Sequence, residues 1–363
     1  MHVKGLGLAV LSGLVLSIAG CSTSAPSVAK SSLAPSSGES PGLSYSATAQ
    51  TVLGSYSLAG NTGPMHDPSM IRQGSTYYAF TSDYLGQSGG YLLMRCSDDR
   101  VHWSGCGAVF QQMPGWTGTA VPGALCLWAP DVSFFNGMYH VYYAVSTTGS
   151  QRSVIGLATN TTLDPRDPAY KWVDRGPVMT SKPGDDFNAI DPNILVDTDG
   201  SVWLTYGSYW SGIKQRRIDA TTGMLSATDA VRYDLATRPG TADNPIEGPS
   251  LIQHGGYYYL FVSVDYCCNA SPVTNNYKQA VGRSMTPHGP FVDVQGTRMT
   301  DGGGTVVIQG NASWNAPGGG TAWIDSDTGE SFLAFHALDM SQGGAPELWL
   351  KSITWQNDWP VIQ

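Results

Sequence analysis

Charged side chains are scarce in this sequence. Lys, Arg, Asp and Glu make up 13% of its 363 residues, and no cluster of Lys or Arg offsets a formal net charge of −9. This balance argues against binding to a phosphate backbone, so we predict no nucleic-acid partner. So little charge is low for a helical protein, and together with 44 Gly and 10% aromatic residues it favours short strands joined by tight turns.

Two signatures of metal chemistry are also missing. No pair of cysteines has the Cys-x-x-Cys spacing typical of a zinc site, and no His-Glu-x-x-His pattern indicates a zinc protease. The apolar run at residues 6–18 is too short to form a stable membrane span.

The N-terminus nevertheless predicts export. Lys4 precedes that apolar run, and small residues lead directly into Cys21, as at a bacterial lipoprotein processing site. We expect residues 1–21 to be a signal peptide ending at Cys21, with a lipid anchor on Cys21 as the protein's membrane contact, at the cell surface or outer membrane. An ordinary secretory signal is the alternative.

The next segment has no hydrophobic periodicity. Residues 22–50 are rich in Ser, Ala, Pro and Thr and cannot bury a core, so they are expected to form a flexible tether. The folded domain is expected to span residues 51–363. Export permits disulfides: Cys96 and Cys106 flank a predicted turn and are placed to pair, while Cys267 and Cys268 either form a vicinal disulfide or simply pack.

One pattern recurs five times along the chain: an acidic or Gly-rich turn, a short apolar strand, a second turn and an aromatic-rich strand. Successive acidic heads are 56 to 64 residues apart. A period near sixty with strand signals in every copy predicts an all-β propeller rather than a sandwich. Equivalent positions of successive blades converge on the central axis. The heads of the five copies are Asp67, Asp131, Asp191, Glu247 and Gly320.

Three of these acids are candidates for chemistry. Asp67, Asp191 and Glu247 each lie next to or near a proline and before an apolar strand, a setting that is unusual for a solvated acid. One Asp-Pro usually marks a turn, but three at repeat heads predict a shared pocket with mutually shifted pKa values. Two carboxyls in one pocket suit glycoside hydrolysis, with one as acid and the other activating water or attacking the sugar. Glu247 is the predicted acid, because its longer side chain has reach and its apolar neighbours favour the protonated form.

Aromatic and histidine side chains add to the candidate site. Trp128 and Trp210 are predicted in loops beside the acids, where they are suited to binding sugar. His336 is a buried hydrogen-bonded side chain, a metal ligand or a partner of the acids.

These motifs resemble glycoside hydrolase family 43 and, within it, the endo-1,5-α-L-arabinanases, over residues 60–355. The motifs that carry the resemblance are His66-Asp67-Pro68-Ser69, Leu127-Trp128-Ala129-Pro130-Asp131-Val132, Asn188-Ala189-Ile190-Asp191-Pro192, Gly207-Ser208-Tyr209-Trp210-Ser211-Gly212, Glu247-Gly248-Pro249, Asp265-Tyr266-Cys267-Cys268 and Val281-Gly282-Arg283-Ser284.

The resemblance implies a five-bladed β-propeller that cleaves α-1,5-linked arabinan or arabino-oligosaccharides within the chain, with inversion. It implies Asp67 as general base, Glu247 as general acid and Asp191 as the carboxylate that tunes and orients the acid. It further implies that His336 holds an axial calcium ion that is otherwise coordinated by water. The residues expected to contact substrate are Asp67, Trp128, Gly149, Asn188, Asp191, Ser208, Tyr209 and Trp210.

The sequence departs from the family pattern at two places. Residues 318–320 are all glycine, where many relatives carry a histidine, and Tyr209 replaces a frequent phenylalanine. Two alternatives stay open: an exo-acting α-L-arabinofuranosidase or β-xylosidase, distinguished by loop heights, and a non-catalytic glycan-binding surface propeller, whose signature would be loss of one acid. A monomer is expected.

Overall fold

Five antiparallel sheets account for nearly all the regular structure in residues 51–268 and 271–363, which the computed structural model describes. The predicted signal peptide and tether lie outside the described residues. Two short strands, β1 (Thr51–Val52) and β2 (Ala59–Gly60), come first and pair in parallel with the outermost strands of blade 4 and blade 1.

Each sheet forms one blade, whose four main strands are connected in chain order. Blade 1 contains β3 (His66–Gln73), β4 (Thr76–Ser82), β5 (Tyr91–Ser97) and β6 (His102–Phe110). Blade 2 contains β7 (Leu127–Phe135), β8 (Met138–Val145), β9 (Ser153–Asn160) and β10 (Val173–Ser181). Blade 3 contains β11 (Asn193–Val196), β12 (Val202–Tyr206), β13 (Ile213–Ile218) and β14 (Arg232–Ala236). Blade 4 contains β15 (Ile246–His254), β16 (Tyr257–Val264), β17 (Lys278–Ser284) and β18 (Thr305–Gln309). Blade 5 contains β19 (Trp314–Ile324), β20 (Ser331–Asp339), β21 (Ala345–Gln356) and β22 (Trp359–Ile362).

Helices are few and short in this part of the chain. They comprise α1 (Thr117–Ala120) and 3-10 turns at Pro272–Thr274, Met299–Asp301 and Met340–Gln342. Among the described residues, no helix has the length and apolar character needed to cross a membrane.

The first strand of every blade packs against the first strands of both neighbouring blades. The contacts run from β3 to β7, β11, β15 and β19 and then back from β19 to β3, so the ring is closed. The prediction of a five-bladed β-propeller is therefore confirmed. The five sequence repeats correspond to the first hairpin of each blade.

Hydrophobic cores fill the spaces between neighbouring blades. In β4, Tyr78 and Phe80 face blade 2, whereas Tyr77 and Ala79 face blade 5. This alternation follows from the two-residue period of a strand. An inner strand buried on both sides needs apolar residues at every position, which explains the aromatic-rich runs of the repeats.

A bend that places a polar side chain between blades recurs at the start of the innermost strands. The residue before each proline has a positive φ of 41° to 56°, at Asp67, Ala129, Asp191, Gly248 and Ala316. The residue after the proline then accepts a hydrogen bond from a backbone N–H of the next blade. The four such bonds run from Val132 to Ser69, from Ile194 to Asp131, from Leu251 to Asn193 and from Ala322 to Ser250.

Asp131 belongs to this set of links and not to the axial pocket. Its carboxylate is buried and accepts hydrogen bonds from Ile194 N at 2.8 Å, Asn193 Nδ2 at 2.9 Å and Ser69 Oγ at 3.4 Å. The prediction that the acidic heads occupy equivalent positions is thus wrong in two places. Asp131 lies two residues beyond the bend, and Glu247 lies one residue before it.

Blades 5 and 1 meet without a direct chain connection. Met65 N donates to Pro346 O at 2.9 Å, and Leu348 N donates to Thr62 O at 2.8 Å. Arg72 of blade 1 forms an ion pair with the buried carboxylate of Asp325 in blade 5 at 3.1 Å. Arg100 and Glu330 form a second ion pair across this boundary at 2.8 Å, and apolar side chains of both blades pack together there.

Cys96 and Cys106 are bonded as predicted, and the first of the two alternatives holds for Cys267 and Cys268. Cys96 and Cys106 form a disulfide between β5 and β6, and the adjacent Cys267 and Cys268 form a vicinal disulfide.

Burial raises the pKa of Asp131 to about 7, although its hydrogen bonds lower it. Between about pH 4 and about pH 7, the folded chain therefore holds a proton that the unfolded chain has released. The contribution of Asp131 to the free energy of unfolding falls as pH rises through this range. We expect wild type to lose stability more steeply across it than Asp131→Asn in urea denaturation, with Asp301→Asn at an exposed position as control. Parallel profiles for wild type and Asp131→Asn would contradict this.

Candidate active site

The predicted site residues meet in one open cavity of about 1290 Å³ around the starts of the innermost strands. All five blades or the loops between their strands contribute to its lining. His336 does not line this cavity and is fully buried beside it. The predicted residues that do line it are Asp67, Trp128, Gly149, Asn188, Asp191, Ser208, Tyr209, Trp210 and Glu247.

Asp67 is held through one carboxylate oxygen and through its backbone N–H. Ser82 Oγ donates a hydrogen bond to Asp67 Oδ2 at 2.6 Å and in turn accepts one from the backbone N–H of Ala129 at 2.6 Å. The backbone N–H of Asp67 donates to His336 Nδ1 at 3.3 Å. The Asp67 side chain keeps 30% of its surface exposed, so the carboxylate is fixed in place and still open to the cavity.

Two hydroxyl groups position Glu247. Ser208 Oγ donates to Oε2 at 2.7 Å, and Tyr277 Oη donates to Oε1 at 2.8 Å. Ser208 follows the second strand of blade 3, and Tyr277 precedes the third strand of blade 4. The carboxyl is therefore held by two different blades.

Asp191 lies against the same segment of backbone. Its Oδ2 accepts a hydrogen bond from the N–H of Gly248 at 3.1 Å, and Gly248 directly follows Glu247. The left-handed bend at Asp191 places its carboxyl in the cavity beside the Glu247 carboxyl.

Burial is the main cause of the shifted pKa values of Asp191 and Glu247. It raises the pKa of Asp191 well above its usual range, and the negative charges of Glu247 and Asp67 raise it further. Burial also raises the pKa of Glu247, against the two hydroxyl hydrogen bonds that lower it, and the charge of Asp67 adds to the rise. The cavity therefore favours a proton on the Asp191–Glu247 pair, while Asp67 remains open to solvent.

His336 lies between Asp67 and a second histidine. Its ring packs on His66 with centroids 4.1 Å apart, and burial together with the charge of His66 lowers its pKa well below the usual value. Since Nδ1 accepts the N–H of Asp67, Nε2 is the ring nitrogen that faces other groups, and it lies 3.8 Å from Cys267 Sγ. Donor atoms of His66, Asp67 and His336 all lie within 4.8 Å of one another, a spacing that fits a divalent cation.

The donor types in this group match calcium only in part. Calcium prefers oxygen ligands, whereas two of the three donors are imidazole nitrogens, which suit zinc and other transition metals better. Among the described residues, the buried side-chain amide of Gln279 beside Gly320 has no hydrogen-bond partner.

The three glycines at 318–320 are required by these neighbours. A Cβ on Gly318 would overlap the ring of Tyr277, one on Gly319 would overlap the Asp67 carboxylate, and one on Gly320 would overlap Gln279. The departure from the family pattern thus makes room for the ring of Tyr277 and the Asp67 carboxylate.

One of the three predicted aromatic residues of the cavity lies in a different element from the one predicted. Trp128 was predicted in a loop, but it is part of β7, immediately before the bend of blade 2. Tyr209 and Trp210 do lie in a turn, and both have a positive φ. The Asn244 side chain donates to Trp210 O at 2.9 Å, which holds the partly exposed indole at the cavity rim.

The sequence analysis missed two residues that hold the acids, Ser82 and Tyr277, and did not predict His66 as a possible metal donor. Ser82 is the antiparallel partner of His66, so the strand pairing within the first predicted hairpin would have located it. Tyr277 lies outside the repeats, between the second and third strands of its blade, and no sequence signal identifies it.

The chain is similar to known proteins in both sequence and structure. A model of the Glycosyl hydrolases family 43 matches residues 61–360. The extracellular endo-α-(1→5)-L-arabinanase 1 of Bacillus subtilis is 37% identical, covering 82% of this chain and 87% of that protein. The extracellular exo-α-(1→5)-L-arabinofuranosidase of Cellvibrio japonicus is 34% identical, covering 82% and 86%. The structure of a Cellvibrio cellulosa α-L-arabinanase complexed with arabinohexaose is similar with a TM-score of 0.77 at 32% identity, covering 83% of this chain and 96% of that one.

Replacing Tyr277 with phenylalanine removes one of the two hydrogen bonds that stabilise the charged form of Glu247. We therefore expect the pKa of Glu247 to rise in Tyr277→Phe. Carbon-13 NMR titration of the side-chain carboxyls measures this pKa, with Glu247→Gln identifying the signal. Tyr142→Phe is a matched control, because that buried hydroxyl donates to Gly223 O away from the cavity. An unchanged or lower Glu247 pKa in Tyr277→Phe would contradict the assigned role.

Proposed function

Because the chain belongs to glycosyl hydrolase family 43, we propose that it is an inverting hydrolase that cleaves α-1,5-linked L-arabinan within the chain. The observation that carries this proposal is the convergence of the Asp67, Asp191 and Glu247 carboxyls in one open cavity, each with a fixed hydrogen-bond partner. The cavity also exceeds the ~300–1,000 Å³ typical of small-molecule sites, which suits a polymer better than a single sugar.

Glu247 acts as general acid in this proposal. Burial favours its protonated form, so it can donate a proton to the departing sugar oxygen. Ser208 and Tyr277 hold both carboxyl oxygens, which fixes the direction of that donation.

Asp67 acts as general base. Its carboxylate is oriented by Ser82 and remains accessible to a water molecule in the cavity. Asp67 and Glu247 come from blades 1 and 4, which are not neighbours in the ring, and this favours the wide separation of acid and base that direct attack by water needs.

Asp191 is the modulating carboxylate. It lies beside the acid, and because burial and the charge of Glu247 oppose a second negative charge there, the two carboxyls together retain a proton that Glu247 can donate. Its hydrogen bond from Gly248 N–H also fixes the backbone next to Glu247.

The remaining predicted residues would bind substrate. Trp128 and Trp210 offer ring faces at the cavity wall and rim, while Asn188 and Ser208 supply polar groups. Gly149 and Tyr209 complete the lining around the acids.

Exo-action is the second candidate, because the Cellvibrio japonicus relative that is named as exo-acting is nearly as similar as the endo-acting one. A non-catalytic glycan-binding propeller is disfavoured, because all three carboxyls are present and oriented. Export, as for the relatives named extracellular, is part of the proposal. The lipid anchor at Cys21 and the monomeric state stay predictions, and Cys21 lies outside the described residues.

We further propose that His336 Nε2 helps to hold a divalent cation, with His66 and Asp67 as the neighbouring donors. Calcium is the ion that the family resemblance implies, and the two imidazoles favour a zinc-like ion. Bound there, the cation would supply positive charge that stabilises nearby carboxylates.

Hydrolysis of linear arabinan tests the proposed function directly. We expect early products to be oligosaccharides of several lengths, because an open cavity admits the middle of a chain. Proton NMR should show the first-formed anomer inverted relative to the substrate. Release of one short product from the start would support exo-action, and net retention would exclude a single displacement by water.

Alanine at Asp67, Asp191 or Glu247 should each lower kcat/KM on linear arabinan by about two to four orders of magnitude, since each removes acid, base or tuning group. Asp229→Ala, an acid outside the cavity, is the control, and melting temperatures verify folding. Glu247→Ala should recover on an aryl arabinofuranoside, whose leaving group needs no proton. Near-normal activity of any one of the three variants would overturn its assignment.

His336→Ala should lower both the bound metal content and the melting temperature. Elemental analysis of purified protein distinguishes calcium from zinc and gives a readout independent of activity. His140→Ala is a matched control, because His140 is also buried but stacks on Phe135 away from the donors. If wild type contains no stoichiometric metal, His336 is a buried, hydrogen-bonded side chain only.

A further inference from the structure

The vicinal disulfide lies in the wall of the cavity that holds the carboxyls. Cys267 and Cys268 both line it, with Cys267 half-buried and Cys268 exposed. Their location places two sulfur atoms at a surface that the proposed substrate must pass. The proposed roles of the acids do not use them.

The loop that carries this disulfide is fixed at its base. Asp265, immediately before it, forms ion pairs with both Arg238 and Lys278. Tyr266 and Asn276 are joined twice, through Tyr266 N to Asn276 Oδ1 at 2.9 Å and Asn276 N to Tyr266 O at 3.0 Å. The disulfide is therefore presented to the cavity next to a base that ion pairs and hydrogen bonds hold in place.

The disulfide also lies between Glu247, the proposed acid, and Asp67, the proposed base. Cys267 packs in an apolar cluster with Tyr277, whose hydroxyl holds Glu247. The two sulfur atoms and a ring nitrogen of His66, the neighbour of Asp67, all lie within 4.8 Å of one another. A sugar unit held between Asp67 and Glu247 would thus have this surface close by.

The chemistry of a disulfide suits an apolar contact. Bonded sulfurs are not thiolates, so they are not metal ligands here. They have no proton to donate and accept hydrogen bonds only weakly. Ligand sites combine apolar walls with a few polar groups that fix orientation, and the neighbouring carboxyls and hydroxyls already supply the polar part.

We propose that the Cys267–Cys268 disulfide is a substrate-contacting surface, against which the C–H face of an arabinofuranose unit packs beside the carboxyls. This inference rests on the proposed function. It makes the disulfide a determinant of affinity for the sugar chain, in addition to any stabilisation of its own loop.

Binding without turnover tests this role. In a Glu247→Gln background, calorimetric titration with linear α-1,5-arabino-oligosaccharides should give a Kd about four- to fifteenfold higher for Cys267→Ala/Cys268→Ala, the loss expected for one to two buried methylene equivalents. Cys96→Ala/Cys106→Ala removes the disulfide of blade 1, whose cysteines do not line the cavity, and should leave Kd unchanged. Because Cys268 has a φ of 65°, Cys267→Ala/Cys268→Gly is a second variant that keeps this backbone conformation without strain.

The heat-capacity change of binding distinguishes two roles of the disulfide: direct contact with the sugar, and stabilisation of the loop that carries it. Loss of an apolar contact makes this change less negative, whereas a loop that must order on binding makes it more negative. An unchanged Kd in both variants, or a more negative heat-capacity change, would overturn the inference while leaving the proposed function intact. Failure of wild type to cleave linear arabinan, with no oligosaccharide binding by Glu247→Gln, would instead refute the proposed function.

Discussion

The crowding of five strands around one axis is the constraint on which this structure depends. Innermost strands packed on both faces leave little water to satisfy backbone N–H groups, so each must find a protein partner. The side chain that follows the proline bend supplies this partner to the next blade, from Ser69 through Asp131 and Asn193 to Ser250. The same bend turns the preceding side chain toward the cavity, so the links between blades and the positions of Asp67 and Asp191 have one geometric origin.

Burial then determines how the carboxyls differ from one another. Asp131 accepts hydrogen bonds from three donors and serves the scaffold, and burial raises its pKa to about 7. Glu247 has two hydroxyl donors and Asp191 has one backbone donor, and both remain under desolvation that favours a proton. Asp67 retains solvent contact. The surroundings of these carboxyls, rather than their residue type, thus raise the pKa values of Asp191 and Glu247.

Much of this arrangement could be predicted from the sequence because it repeats. The apolar and aromatic runs follow the period of the first hairpin in every blade, and the acids next to prolines mark where each hairpin begins. The features that differ from one repeat to the next could not be predicted. Relative to the proline, Glu247 is shifted by one residue and Asp131 by two, which changes the side chain that faces the axis. The prolines mark these shifts in the sequence, but the structure is needed to show that the bend lies at the residue before the proline. Tyr277 reaches Glu247 from a loop outside the repeat, through space rather than through sequence.

Ring closure has a consequence for how activity and folding are related. Blades 5 and 1 are the one adjacent pair that no short chain segment joins, and the Asp67 backbone donates to His336 across this boundary. A small opening there would move Asp67 and its His336 partner apart while leaving four inter-blade cores intact. Hydrolytic activity should therefore respond to a separation of blades 5 and 1 before any spectroscopic measurement of strand content does. A propeller that is open at this one boundary still has nearly all its β-sheet structure.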